Sequence, residues 1–549
     1  MGNKNNIKTD YSSLFEQIPK YINGTIEYPE LKHTTAPFGI YKQRNGNFMA
    51  RIRVTGGEVS FEKLSAISKI AEKYSVGFLH LTSRQAIQLH DVDIKKIISI
   101  VTECTENNLP FRGGGGDTFR NVAACYHSGF SEDSVFDVLP YAKQLTSSMF
   151  NYDKAFDNLP RKIKFGFSCC KNDTSLAKLQ DLGFIATIQN GIKGFTVYGG
   201  GGMGNQSTVG IELMNFIPSN EIIRYAFAMT DLFNDHGDRT SRSKARVRFI
   251  LKRLGAEEFK KLFFNYLDNV ILPEDIDLCQ VPSSPVSETE LFSGAADVLP
   301  IINLSPTELP LYDKWKLRVL SNIKFDNTVL IKLLIPHGKL RVIDLKKIVE
   351  LMSETKSDIA RLSREENMYI PIKKLDTEYF FSQLNNYREE ADFTGYSLQG
   401  LITSCIGAKI CFIGIIDAPK FTDSIAKELN IFFTKHPEFI PDFFNNVLNS
   451  IKISGCPNSC SNHPSVALGF QGIRRKNKDG VPTDYCKVYT GGQPDKLNEC
   501  IDGLLLNSTQ IGKYVCDLIK KYYEQKSDNE ALNFSDYINK DFSAKNFTN

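Results

Sequence analysis

Four cysteines in the C-terminal third of the chain fall in two close pairs. Cys405 and Cys411 are spaced C-x5-C in TSCIGAKICFIG, and Cys456 and Cys460 are spaced C-x3-C in SGCPNSCSNH. Four thiolates in two pairs suit a cubane iron–sulfur cluster, which takes one sulfur per iron. Zinc is the first competitor, with its usual C-x2-4-C pairs or mixed Cys/His sets, and unligated thiols are the other reading. Gly407, Gly414, Gly455 and Pro457 flank the cysteines. Glycine lets backbone approach a bulky inorganic group, and N–H groups there can bond to its sulfurs.

The N-terminal half carries a different chemistry. Arg51, Arg53, Arg84, Arg120, Arg161, Lys162 and Lys164 lie close to glycine-rich turns. Scattered cations usually form a solvated face. Lys162 and Lys164 are different, because alternate residues of a strand point the same way, and two ammoniums on one face repel unless an anion sits between them. The four-glycine runs in RGGGGDTFRN (112–121) and YGGGGMGN (198–205) are expected to present backbone N–H groups to anions. They do not match the P-loop pattern, and neither opens a Rossmann unit. Cys169 and Cys170 are adjacent, with Cys125 nearest in sequence, and read as unligated thiols.

A duplication positions these residues. NFMARIRVTGGEVSFEKLSAI with GFLHLTSRQAIQLHDV is matched by TVLIKLLIPHGKLRVIDLKKI with IARLSREENMYIPIK, and Gly57 falls on Gly338 at a shift of 281 without gaps. Each copy predicts strand, Gly turn, helix and two strands, with Leu64, Ile67 and Ile70 as the core stripe of the helix. A looser second repeat follows each copy. RKIKFGFSCC, LGF (182–184) and TVYGG are answered by IKISGCPNSC, LGF (468–470) and KVYTGG, and Cys170 is set opposite Cys460 at a shift of 290.

Length and composition agree with this layout. At 549 residues the chain exceeds a single core. With 42% hydrophobic and 23% charged residues it is neither disordered nor a disulfide-stapled scaffold. A net charge of +3 gives no support for wholesale nucleic-acid binding. No apolar run long enough to span a membrane is present. MGNKNNIKTDYSSLFEQIPK has no apolar signal region, so a cytoplasmic location with reduced thiols is expected.

The motifs together resemble the siroheme-containing nitrite/sulfite reductases. LTSRQAIQLH (81–90), GDTFRNV (116–122), LPRKIK (159–164), TSCIGAKIC (403–411) and SGCPNSC (454–460) carry the resemblance, which spans roughly residues 40–520. It implies an α+β fold, internally duplicated, with two ferredoxin-like half-modules and two mixed-sheet siroheme/Fe–S domains about a pseudo-twofold axis. The expected divisions are an N-terminal extension (1–40), half-domain 1 (41–110), a siroheme and substrate-anion domain (111–265), a linker (266–322), half-domain 2 (323–392), a cluster-ligating domain (393–525) and a polar tail (526–549). The resemblance further implies that Cys405, Cys411, Cys456 and Cys460 bind a [4Fe–4S] cluster and that Cys460 also ligates the siroheme iron. Arg84, Gln88 and His90 fall in the siroheme-contacting motif. Arg51, Arg120, Lys162 and Lys164 match the residues that bind the substrate anion.

The activity so implied is six-electron reduction of a small oxyanion, sulfite to sulfide ahead of nitrite to ammonia. A non-reductase relative, either a tetrapyrrole-pathway enzyme or an electron-carrying iron–sulfur protein, would lack the four cations. No flavin or nicotinamide domain is visible in the sequence, so a ferredoxin or a separate flavoprotein is the expected donor. Two departures stand out. His80 replaces the Arg common in the sulfite branch, so its charge is expected to vary near neutral pH. His463, three residues past Cys460, is read as structural or cofactor-adjacent rather than as an iron ligand.

Overall fold

The computed structural model of the chain describes residues 11–156, 158–273, 286–292, 299–387 and 398–541. Its α+β duplication is explicit. The first copy runs through strand Phe48–Ile52, the tight turn Thr55–Gly57, helix Phe61–Lys73 and strands Phe78–Leu81 and Ile87–Val92. The second runs through Thr328–Leu333, Pro336–Gly338, Val342–Glu354, Ile359–Leu362 and Met368–Lys373, and from the turn onward every bound is displaced by 281. The local causes are ordinary. Ser60 caps helix Phe61–Lys73 by accepting from the Lys63 N–H, and Leu64, Ile67 and Ile70 bury its inner stripe. Gly57 is required at its turn: its φ is +80°, and a Cβ would lie 2.6 Å from the Leu362 carbonyl oxygen.

The two copies exchange edge strands. Glu58–Ser60 of the first pairs with Ile359–Leu362 of the second, and Lys339–Leu340 of the second pairs with Phe78–Leu81 of the first. Each copy thereby completes the other's five-stranded sheet.

The looser repeat also forms two five-stranded sheets. In spatial order one is Ala123–Ala124, Phe165–Ser168, Leu182–Gln189, Ile192–Gly199 and Ile211–Pro218. The other is Thr403–Ser404, Ile451–Ser454, Leu468–Lys476, Pro482–Thr490 and Glu499–Asn507. Phe165 lies opposite Leu182 as Ile451 lies opposite Leu468, so the true shift is 286. This corrects the shift of 290. Hydrogen-bonded register decides equivalence, so Cys170 corresponds to Cys456, and Thr174 stands where Cys460 does.

The ends are more integrated than their polarity suggests. Helices Ser12–Ile22 and Tyr28–Thr35 bury Leu14, Ile18 and Leu31 in the core of the half-modules. In the segment read as a linker, helix Leu309–Val319 buries Trp315, and strand Leu320–Asn322 pairs with Thr328–Leu333. The segment read as a tail packs as well, with helix Phe534–Asp541 burying Phe534, Tyr537 and Ile538 at helical spacing. Among the described residues no helix is long and apolar enough to cross a membrane.

Candidate functional site

The cysteine quartet is built by one sheet end. Strand Thr403–Ser404 delivers Cys405, whose N–H donates to the Ile453 carbonyl at 3.2 Å. Strand Ile451–Ser454 delivers Gly455 and Cys456, and the Gly455 N–H donates to Cys405 Sγ at 3.1 Å. Gly407 sits at φ +73°, where a Cβ would meet the Ala418 nitrogen at 2.8 Å. The Cys411 N–H closes that turn onto the Gly407 carbonyl at 2.9 Å. The four thiols act on one another electrostatically. Burial and then Cys460 push the Cys405 thiol up. Burial and then Cys456 push Cys460 up to about 11, against the pull of Lys162. Four mutually interacting sulfurs, with a glycine N–H already on one of them, fit a polynuclear cluster.

The cations face this quartet. Ile163 is buried and bridges to Phe119, so Lys162 and Lys164 project together from its other side. Neither ammonium has a hydrogen bond or ion pair among the described residues. Burial holds both well below the ordinary lysine range. Repulsion from Arg120 and Arg246 adds to this for Lys162, and repulsion from Arg84 and Lys162 adds to it for Lys164. The Cys460 thiol pulls the other way on Lys162. Arg120 donates to the carbonyls of Gly114 (3.1 Å) and Gly116 (2.7 Å), and Arg51 donates to Gly114 at 2.7 Å. Burial lowers Arg51 as well, opposed by Tyr41, Cys460 and Cys411.

The glycine runs do not cradle an anion in the way expected. The N–H groups of Gly113, Gly114 and Gly116 are taken by Pro37 O, Phe111 O and Tyr41 Oη. Those of Gly200 and Gly202 are taken by Asp181 O and Thr208 O. Glycine serves packing here: a Cβ on Gly115 would lie 2.2 Å from the Ala36 carbonyl oxygen. Two of the seven basic residues are also spoken for. Arg161 pairs with Asp117 at 2.6 Å. Arg53 is buried over Phe119 and Phe150 and donates to the Phe119 and Arg120 carbonyls.

The 81–90 motif splits into two roles. A guanidinium has no acceptor, so the Gln88 amide oxygen faces Arg51 and accepts from Nη2 (2.6 Å) and Nε (3.2 Å). Its nitrogen then donates to His80 Nδ1 (2.9 Å) and His90 Nε2 (3.3 Å). Both rings are therefore acceptors and neutral. Burial takes His80 down to about 4 and lowers His90 further below its ordinary value. This corrects the expectation that His80 changes charge near neutral pH. His90 stacks on Phe78 at 4.6 Å, behind Gln88, so these two residues position Arg51. His463 is likewise buried and neutral, taken down to about 3, with Nδ1 2.9 Å from Ser454 Oγ.

Arg84 differs from its motif neighbours. One guanidinium nitrogen binds Gln180 Oε1, while Nη1 is buried without a partner among the described residues. Arg120 Nε, Arg248 Nη1, Arg364 Nη1 and Asn462 Nδ2 share that condition. Unpaired buried donors are costly. Arg84 lies within electrostatic reach of Arg364, Arg246 and Arg120, and unpaired donors in such a cationic cluster fit a group carrying several carboxylates, which is the character of siroheme. Sequence reasoning missed Tyr41, Asp181, Arg246, Arg248 and Arg364. The Asp181–Arg246 pair is fully buried, at 2.7 Å, and Asp181 also accepts from the Lys164 N–H at 2.8 Å.

Known proteins resemble this chain. Residues 41–107 match the nitrite/sulfite reductase ferredoxin-like half domain, and residues 115–271 match the nitrite and sulphite reductase 4Fe-4S domain. Over these two stretches the chain matches the nitrite and sulfite reductase family. It is 23% identical to the assimilatory ferredoxin-dependent nitrite reductase of Haloferax mediterranei, covering 83% of this chain and 76% of that one. It is 22% identical to sulfite reductase [ferredoxin] 1 of Mycolicibacterium paratuberculosis, covering 88% and 81%. The solved Mycobacterium tuberculosis NirA protein has the same fold, with a TM-score of 0.76 at 19% identity over 98% of this chain and 94% of that one. These similarities make the chain an oxidoreductase and imply siroheme and a [4Fe–4S] cluster as cofactors. The 4Fe-4S domain match falls on the first repeat, whereas the C-x5-C and C-x3-C pairs stand in the second.

Proposed function

We propose that this protein reduces sulfite to sulfide, drawing six electrons from an external donor. In this reading Cys405, Cys411, Cys456 and Cys460 hold the [4Fe–4S] cluster, and Cys460 is shared with the siroheme iron. Arg84 binds siroheme carboxylates, while Gln88, backed by His90, holds Arg51 in place. Arg51, Arg120, Lys162 and Lys164 bind the substrate anion. The carrying observation is that Lys162 and Lys164 act on the Cys460 thiol, opposing the burial that raises it. Electron source and anion pocket thus share one recess.

The chemistry of the side chains fits this reading. When bound, siroheme and cluster would relay the donor's electrons to the anion. Overall, sulfite takes six electrons and six protons, and its three oxygens leave as water. Arg51 and Arg120 stay protonated and act as clamps, preset by carbonyls and by Gln88 before substrate arrives. Lys162 and Lys164, with pKa values held low, give up protons more readily than ordinary lysines and regain them when an anion binds. Four cations around one site favour sulfite, which becomes a dianion, over nitrite, which is at most a monoanion. Relatives named for ferredoxin support a ferredoxin donor over a separate flavoprotein.

The test is the Lys162→Ala/Lys164→Ala double variant. It should keep the visible spectrum of both cofactors and lose at least about 100-fold in kcat/KM for sulfite with a dye donor. Activity within a few-fold of the parent refutes the pocket. Cys460→Ser should change the visible spectrum, and an unchanged one refutes the shared thiolate.

A further inference from the structure

The first repeat, whose cysteines read as unligated, brings four donor atoms together. Cys125, Cys169 and Cys170 are buried and His127 is half-buried, and one ligand atom from each lies within 4.8 Å of all the others. Cys170 Sγ is 3.9 Å from His127 Nε2. Zinc–sulfur bonds near 2.3 Å set tetrahedral ligands about 3.8 Å apart, so the donors already stand at the spacing of one ion. A cubane, with one ligand on each of four irons, spreads its ligands wider. We propose that Cys125, His127, Cys169 and Cys170 form a structural zinc site, separate from the [4Fe–4S] ligands.

Strand register shows how the site arose. Ala124 pairs with Phe167 as Ser404 pairs with Ile453, so Cys125 stands at the place of Cys405 and Cys170 at that of Cys456. Cys169 takes the place of Gly455 and repeats its contact: its N–H donates to Cys125 Sγ at 3.3 Å, as Gly455 does to Cys405. The position of Cys460 is Thr174, whose hydroxyl donates to Cys125 Sγ at 3.0 Å. Ser134 Oγ donates to Cys169 Sγ at 3.3 Å. Two cluster positions survive, one is replaced by a hydroxyl, and a neighbouring cysteine and a histidine close the set around something smaller. Hydroxyl and amide donors on the sulfurs are the surroundings of thiolates. Three thiolates with one neutral imidazole suit Zn2+, and their protons leave when the ion binds.

The inference does not depend on the substrate or on the reductase reading. Holoenzyme from zinc-supplemented cells should contain one zinc per chain beside its iron, by elemental analysis. X-ray absorption at the zinc edge should show three sulfurs and one nitrogen. Cys169→Ser/Cys170→Ser should lose the zinc while keeping the cluster and siroheme absorption. If that variant does not fold, the absorption spectrum of the parent decides alone. Zinc below about a tenth per chain, an oxygen/nitrogen-only shell, iron in place of zinc at this site, a disulfide among the three cysteines, or full zinc in a folded variant would each overturn the proposal.

Discussion

Asp181 is the sharpest point at which to perturb the cationic recess. Its carboxylate is fully buried, accepts two bonds from Arg246 (2.7 and 3.1 Å) and one from the Lys164 backbone N–H. It raises the pKa values of both Lys164 and Arg84 against the repulsion of their neighbours. Asp181→Asn keeps the shape and removes the charge, leaving the Arg246 guanidinium unpaired among other cations. Breaking a buried pair by removing one partner costs 3–5 kcal/mol. Because the amide still accepts a hydrogen bond, about 3 kcal/mol is expected. A second effect has a fixed sign. Removing a group that raises the Lys164 pKa lowers it further, so the ammonium is lost at lower pH. The KM for sulfite should therefore begin its alkaline rise at lower pH in the variant than in the parent. A bound dianion restores the missing negative charge, so saturating sulfite should raise the variant's unfolding temperature more than the parent's. Thermal unfolding with and without sulfite, beside a pH series of KM, measures both effects. An unchanged unfolding temperature together with an unchanged alkaline limb would refute the view that these cations repel in want of an anion.

Two further outcomes follow from the 81–90 motif. Gln88→Leu removes two hydrogen bonds to the Arg51 guanidinium, each worth about 1.5–3 kcal/mol and partly replaced by water. It should raise the KM for sulfite at least tenfold, while the cofactor spectrum stays in place; an unchanged KM would remove the positioning role. His80 titrates near 4 in the fold against 6.5 unfolded. As pH falls through that window the unfolded chain takes the proton first, and up to about 3 kcal/mol of stability is lost. Urea midpoints at pH 7 and pH 4.5 should therefore diverge less in His80→Gln than in the parent, and equal divergence sinks the assignment.

The sequence disclosed what is local or periodic. The 281-residue shift was legible because each strand–turn–helix unit keeps its length. Lys162 and Lys164 were legible because they alternate around apolar Ile163. The edge-strand exchange was not, since nothing in Glu58–Ser60 or Lys339–Leu340 names its partner. Matching sulfur to sulfur misaligned the second repeat, although LGF at 182–184 and 468–470 already carries the 286 register. Asp181 and Arg246 are 65 residues apart and lack a local signature, so their pairing needed three dimensions. In NFSDYINKDF the polar residues hid an i, i+3, i+4 stripe of Phe534, Tyr537 and Ile538. The glycine runs misled because glycine serves close packing as readily as it serves anions.

The division of labour between the copies explains why the frame is tied so tightly. The cations of the recess come largely from the first half and the sulfurs from the second, so their relative placement must be fixed by something other than local sequence. The exchanged strands do this, and the side chains at the seam extend it. Ser83 donates its N–H to Glu366 at 3.2 Å and its hydroxyl to the Cys460 carbonyl at 2.6 Å. Arg44 donates to the carbonyls of Cys411 (3.0 Å) and Gly414 (2.9 Å). Gln85, buried at positive φ, donates to the Leu362 and Ala124 carbonyls. Its counterpart at the 281 shift is Glu366, which also has positive φ and also reaches across. Burial raises the Glu366 carboxyl well above the ordinary carboxylate range. A site assembled from two copies needs its supporting shell held as firmly as the ligands themselves. Here that shell is the pseudo-twofold seam, and single-copy fragments of this chain would carry the residues without the geometry.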